Sequence, residues 1–346
     1  MPDCDVGLFG WMGSDWDFDA WVTIAEEAER LGYSALWCQD NIIGHSPSPP
    51  EIQLFDPWVL LPALAARTTT IRLGPLASPV TRRYAPQLAK AAASLDVISG
   101  GRLNLGVGAG DDAHQHEMLG WQFPPQGQVR RAMLRETLQV MKLLWSRDDA
   151  DFDGEYVRLK NAVMYPKPVQ QPWPPLYVSL SSSRKTMPYL AAEEGDAIAC
   201  HWGTDEVNKS ILRSFRERWA ALGRSESSIR ALLMCFVFFS DTDGPSDANL
   251  QRSQEVIGIE FDYSRYGSLI PGKDNEEALK TIYGRPEFIA EQLNARALAV
   301  GFNELAVLPF SLSSPVDAGG LAGNAGNYFG SLRVFSEEVV PRLRRP

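Results

Sequence analysis

The amino-acid sequence predicts an α/β fold closed into a (β/α)8 barrel, the TIM-barrel architecture, and three observations carry that expectation. Short apolar strands alternate with longer helical stretches from one end of the chain to the other. A helix–glycine–strand joint recurs at Gly32, Gly100-Gly101, Gly195 and Gly301, and Gly32 stands where a helix end takes a left-handed residue. Eight strands can be read in this way, each followed by a helix, which is the content of one closed barrel.

Asp5–Phe9 reads as the first strand, and Phe18–Leu31 as a helix with Trp21, Ile24, Ala28 and Leu31 on one face. Ser34–Cys38 and a helix at Pro57–Arg67 follow, then Ile71–Leu76 with Pro86–Ser99. The fourth unit is Leu103–Val107 with Val129–Trp145, whose Leu134, Leu138, Met141 and Trp145 share a face. Leu176–Leu180 with Thr186–Glu194, Ala197–Cys200 with Glu206–Leu222, Ala231–Ser240 with Pro286–Ala299, and Glu304–Leu308 with Phe329–Leu343 complete the ring. An open dinucleotide-binding sheet would need GxGxxG directly after its first strand. Here Gly10-Trp11-Met12-Gly13 has the wrong spacing, and the later run Gly106–Asp111 has Asp111 where the third glycine should stand.

A minimal barrel takes ~250 residues, and the chain has 346. Two segments hold most of the excess: Asp151–Pro175, an extended excursion or hairpin ending in a Pro-rich turn, and Asp241–Tyr283, a polar and aromatic insertion. Long insertions between barrel elements are more often lids or binding loops than filler. The chain is read as one domain. Its 33 basic against 43 acidic residues give a charge of −10, which argues against general affinity for nucleic acid or anionic membranes. No apolar run approaches membrane-spanning length. The four cysteines are scattered, without zinc-ligand spacing, and the expected setting is the reducing cytoplasm.

Barrel enzymes place their sites on the loops after the strands. That rule selects Trp11, Asp40-Asn41, Leu76–Arg82, Gly108–Asp111, Ser181–Thr186, His201-Trp202 and Phe310. Ser181, Ser182, Ser183 and Arg184 offer donors and a cation to a phosphate at a helix start, or simply cap that helix. Gly106, Gly108 and Gly110 strip one face of a strand, for a flat ligand or for close packing. His201 is the histidine best placed for acid–base work, a surface or packing role being the alternative. His45, His114 and His116 have no partners that suggest a metal site.

Residues 25–41 (AEEAERLGYSALWCQDN), 69–110, the 152–179 excursion, 190–198 (LAAEEGDAI) and 283–293 (YGRPEFIAEQL) resemble the bacterial-luciferase-like flavin oxidoreductases. Members of that family are barrels using reduced FMN or the deazaflavin coenzyme F-420. The resemblance implies a flavin ring along Gly108, with Asp111 where several deazaflavin enzymes carry an acid. It implies a cis peptide or bulge behind the ring, matched to Leu76–Ala77, and the flavin phosphate at Ser181–Arg184. Relatives commonly carry a proton-handling His where this chain has Asn41, which can orient but not transfer a proton. Trp11 and Trp202 suggest an apolar or aromatic substrate.

The leading expectation is a monooxygenase acting with dioxygen on a small organic substrate, as a homodimer. Its reduced FMN would come from a separate flavin reductase, and the 241–283 insertion would close over the site. Hydride transfer with coenzyme F-420 is the first alternative, and a non-catalytic flavin-binding protein the second. Ser-Ser-Ser-Arg in place of the Gly-Pro or Gly-Gly of F-420 relatives favours FMN, while Asp111 favours F-420.

Overall fold

The structure, a computed structural model, describes residues 4–10, 16–42, 54–110, 112–180, 185–200, 204–244, 246–257, 281–312 and 322–344. Parallel strands β1 (Asp5–Gly10), β2 (Ala35–Cys38), β3 (Arg72–Pro75), β4 (Ser78–Pro79), β5 (Leu105–Gly108), β8 (Leu176–Leu180), β9 (Ala197–Cys200), β10 (Arg230–Phe239) and β12 (Glu304–Ser311) run around a barrel. Strands β3 and β4 are halves of one stave: β3 pairs with β2, and β4 pairs with β5. A parallel bridge between Leu73 and Leu103 closes the ring. Strand β11 (Thr281–Gly284) adds alongside the upper half of β10.

The helices are α1 (Phe18–Arg30), α2 (Pro57–Ala65), α3 (Ala85–Ile98), α4 (Ala113–Met118), α5 (Gly127–Ser146), α6 (Thr186–Glu194), α7 (Asp205–Ala221), α8 (Asp247–Ile257), α9 (Pro286–Leu293) and α10 (Ala322–Val334). Local chemistry fixes several starts: Asp17, Asp56, Asp112 and Thr204 each accept a backbone N–H of the first turn. The last helix begins at Ala322 rather than Phe329, and Pro286–Leu293 continues as a π-turn over Asn294–Leu298.

The inward direction can be read from one hydrogen bond. Tyr177 on β8 donates its hydroxyl to Glu304 Oε2 on β12 at 2.7 Å. Strands β9 and β10 lie between them, so the bond crosses the lumen and both side chains point inward. Trp37 on β2 meets the Tyr177 ring edge-on at 5.0 Å between centroids, so it points inward too. Side chains alternate along a strand, and Gly106 and Gly108 are in register with Tyr177 and Ser179. Gln39, Gly106, Gly108 and Ser179 therefore sit on the inward face. Arg230 donates to Glu304 Oε1 at 2.6 Å and lies over the Tyr177 ring, making a polar layer at the N-terminal end of the lumen. Burial, and then the Glu304 charge, push the Tyr177 phenol well above its ordinary pKa, so it stays a neutral donor.

The 151–175 excursion contains a two-stranded antiparallel hairpin, β6 (Ala150–Asp153) with β7 (Arg158–Ala162). The later part of the excursion packs at the N-terminal side of the barrel. The fully buried Asp96 carboxylate accepts from Val169 N, Gln170 N and Gln170 Nε2 at 2.6–2.9 Å, and Arg72 reaches Gln170 Oε1 at 2.7 Å.

Glu29 does similar work at the turn into β3. Its Oε1 accepts Thr69 N at 2.8 Å, Ile71 N at 3.0 Å and also Thr70 N. Burial alone would raise this carboxyl, but the N–H donors of Thr70, Ile71 and Thr69 hold it at about 2, against an ordinary 4.5. A depressed carboxyl stabilises the fold above its unfolded pKa, and that share disappears as pH falls from about 4.5 towards 2. Glu29→Gln is expected to cost ~1 kcal/mol at neutral pH, because the site is solvent-screened. Urea denaturation at pH 7 and pH 3 checks it: the gap between variant and parent should shrink in acid.

Candidate active site

Side chains around the C-terminal end of β2 divide by direction. Asp40 points outward and is buried, 2% exposed. Its carboxylate accepts from Ser78 Oγ at 2.6 Å, Trp58 Nε1 at 3.3 Å, and Arg83 through Nε at 3.1 Å and a terminal nitrogen at 2.7 Å. Arg83 also holds Asp56 at 2.9 Å. Burial works against the Arg83 charge, yet the Asp40 and Asp56 carboxylates outweigh it and raise its pKa above the ordinary value. Ser78 is thus pinned from outside, directly after the Leu76–Ala77 peptide, which is cis.

A second network lies over the mouth. Asn41 Nδ2 donates to the inward-facing Gln39 at 3.1 Å. Asn41 Oδ1 accepts from Gln115 Nε2 at 3.2 Å and from Arg82 at 3.4 Å. Gln115, wholly buried on α4, is the hub: Oε1 accepts from Ile42 N at 3.1 Å and Arg82 at 3.0 Å, and Nε2 donates to Asp112 Oδ2 at 2.7 Å. Arg82 also donates to the Asp40 carbonyl. His116, one residue on, faces Phe123, and its Nδ1 donates to the Asp112 carbonyl at 2.7 Å, so that nitrogen carries the proton.

The floor beside this network is made of small groups. A Cβ built on Gly108 would sit 3.7 Å from Ser179 Cβ and 3.8 Å from Ala77 Cβ, an ordinary contact distance. Ala77 and Ser179 are partly exposed where most of the residues beneath them are buried. Three adjacent staves therefore end in a low, partly open surface, which fits the face of a flat ring. Gly106 differs: its Cβ would lie 2.3 Å from the Pro75 carbonyl oxygen, so close packing of staves explains that glycine.

Of the candidates named from sequence, Asn41, Leu76, Ala77 and Gly108 are brought together at this mouth, with Leu76 buried beneath it. Trp11, Asp111, Ser181, Ser182, Ser183, Arg184, His201 and Trp202 lie outside the described residues. Gln115, Ser179 and Arg83 went unnoticed. Gln115 had a local signal: it stands three residues after the capping Asp112, the spacing of a capping box. The thiols offer no chemistry here; all four are buried, and burial pushes Cys200 and Cys235 up to about 12. No group of metal-ligating side chains occurs among the described residues, and none of the described helices is long and apolar enough to cross a membrane.

Polar groups gathered at strand C-termini beside a floor of small residues give the barrel a mouth that suits a flat ligand. The chain belongs to the luciferase-like monooxygenase family, whose model matches residues 6–304. Among curated proteins it is similar to the F-420-dependent glucose-6-phosphate dehydrogenases of Kineococcus radiotolerans (34% identity, 59% of each chain), Beutenbergia cavernae (32%, 70% of this chain and 72% of that one) and Segniliparus rotundus (26%, 92% and 91%). The match spans 59% of the Kineococcus protein's length.

Two solved structures share the fold over essentially the whole chain at 20% identity. They are an F-420-dependent secondary alcohol dehydrogenase bound to an F-420–acetone adduct (TM-score 0.78, 99% of each chain) and the FMN-bound oxygenating constituent of 3,6-diketocamphane monooxygenase from Pseudomonas putida (0.75, 100% of each). The expected fold class and family are both found.

Proposed function

We propose that the protein is a coenzyme F-420-dependent oxidoreductase, moving a hydride between the deazaflavin and a small organic substrate. The observation that carries this reading is the set of curated relatives named as F-420-dependent dehydrogenases, one of them aligned over 92% of the chain. This favours the alternative read from sequence over the leading FMN monooxygenase, which has support only from fold-level neighbours.

When bound, the deazaflavin supplies or accepts the hydride; the protein does the rest. Ala77, Gly108 and Ser179 would leave room for the ring. Asp40 and Trp58 would hold that floor still by fixing Ser78. Asn41 and Arg82 would orient the substrate beside it. The sequence reading assigns the cofactor phosphate to Ser181–Arg184, and hydride chemistry needs no separate flavin reductase.

Anaerobic titration with F-420, FMN and reduced FMN, followed by admission of oxygen, tests the reading. Binding of F-420 in preference to both FMN forms is the expected result. Tight binding of reduced FMN, followed by a peroxyflavin absorbance in oxygen, would overturn it in favour of the monooxygenase.

A further inference from the structure

We infer that Gln39 is a further cofactor-binding residue: a fixed hydrogen-bond donor for a ring oxygen of the deazaflavin. The inference rests on the F-420 reading above and adds to it a contact at the edge of the ring.

Three successive amides, each with its orientation set by its partners, lead to that donor. Gln115 accepts through Oε1 from Ile42 N at 3.1 Å and from Arg82 at 3.0 Å, two groups that can only donate. Its Nε2 donates in turn to the Asp112 carboxylate at 2.7 Å and to Asn41 Oδ1 at 3.2 Å. Asn41 Oδ1 also accepts from Arg82 at 3.4 Å, so the other end of that amide, Nδ2, is the donor to Gln39 Oε1 at 3.1 Å. A carboxylate and a guanidinium anchor this chain, and no amide in it turns over without losing bonds. Gln39 is left with its oxygen taken and its nitrogen to offer. Among the described residues nothing accepts from Gln39 Nε2, and the half-buried side chain does not seal that atom from solvent.

The nitrogen belongs to an inward-facing side chain level with the near edge of the floor. Trp37, two residues back, points into the lumen, and Leu76 N donates to the Cys38 carbonyl at 2.7 Å. Position 39 therefore stands beside the Leu76–Ala77 step, on the adjacent stave. A flat ring resting on Ala77, Gly108 and Ser179 brings its β2 edge to Gln39. A deazaflavin has two kinds of oxygen that only accept: a carbonyl of its pyrimidine edge and the ionised hydroxyl of its phenol edge. An amide N–H suits either one. A donor aimed before the ring arrives needs little ordering when it binds.

Titration of the protein with F-420, followed by the cofactor's absorbance, tests this. Gln39→Met keeps the length of the side chain and removes the donor. F-420 affinity should fall ~5- to 10-fold, the effect of about one neutral hydrogen bond. Asn41→Asp reverses the donor without touching Gln39. The carboxylate still accepts from Gln115 and Arg82 but has no hydrogen for Gln39, which turns its own NH2 towards position 41 and its oxygen towards the ring. Affinity should fall at least as far as in Gln39→Met. In the Gln39→Met background the same change should have little further effect, a coupling that a general loss of packing does not produce.

The pH dependence of the bound cofactor's spectrum tells the two oxygens apart. With a contact to the phenol edge, the parent holds the phenolate to lower pH than Gln39→Met does; with a contact to the pyrimidine edge, the two titrate alike. Gln39→Met binding F-420 as tightly as the parent, or Asn41→Asp weakening binding equally in both backgrounds, would overturn this inference and leave the functional reading standing. A parent protein that does not bind F-420 would overturn both.

Discussion

Asp40→Ala is expected to destabilise the protein by ~3–5 kcal/mol, the cost of removing one partner from a buried ion pair. The carboxylate is 2% exposed and receives Ser78, Trp58 and both faces of the Arg83 fork. Without it, Arg83 keeps only Asp56, and the Ser78 hydroxyl loses its acceptor. Asp40→Asn keeps the shape and should cost about half as much, because the amide still accepts through its oxygen but no longer balances the guanidinium. Urea denaturation followed by tryptophan fluorescence measures both. Equal stability of the parent and Asp40→Ala would mean that the outward network contributes nothing to the fold.

The second large effect separates two glycines on one strand. Gly106→Ala would push a methyl to 2.3 Å from the Pro75 carbonyl oxygen and 3.2 Å from Leu76 Cα. Backbone must move, and a cost of ~3 kcal/mol or more is expected. Gly108→Ala, two residues on, meets only Ser179 and Ala77 at ordinary distances. The fold should tolerate it within ~0.5 kcal/mol. The added methyl would instead stand where the ring is proposed to lie, so F-420 affinity should fall ~10-fold or more. Thermal unfolding and an F-420 titration of the two variants give opposite orders of severity. The same order in both would remove Gly108 from the cofactor floor.

Those two glycines also show what can be read from sequence. Alternating glycines say that one face of a strand is bare; whether a neighbouring stave or a ligand fills the space depends on lateral packing that no spacing records. The barrel itself was legible, because apolar periodicity repeats in every unit and the glycine joint recurs in four of them. All eight staves lie within about three residues of where the pattern puts them. Helices α4 and α8 were missed, the first because six residues carry no periodicity, the second because it lies in a polar insertion. Asn41 was found through a strand-end rule and a departure from the family. Gln115 was not, since a buried amide seventy-odd residues away announces itself only through its partners.

The divided stave has a consequence for how such a site can change over generations. Its lower half is laddered to β2 and its upper half to β5, so above Cys38 the join at the mouth is made by side chains: Asp40 to Ser78 and Arg83, and Asn41 to Gln115 and Arg82. Backbone ladders tolerate little editing, whereas a side-chain join can be rewritten one residue at a time. The barrel thus keeps its chemistry on a replaceable clasp, and a lineage could exchange a proton-carrying residue for an inert one at position 41 without disturbing a single rung of the sheet.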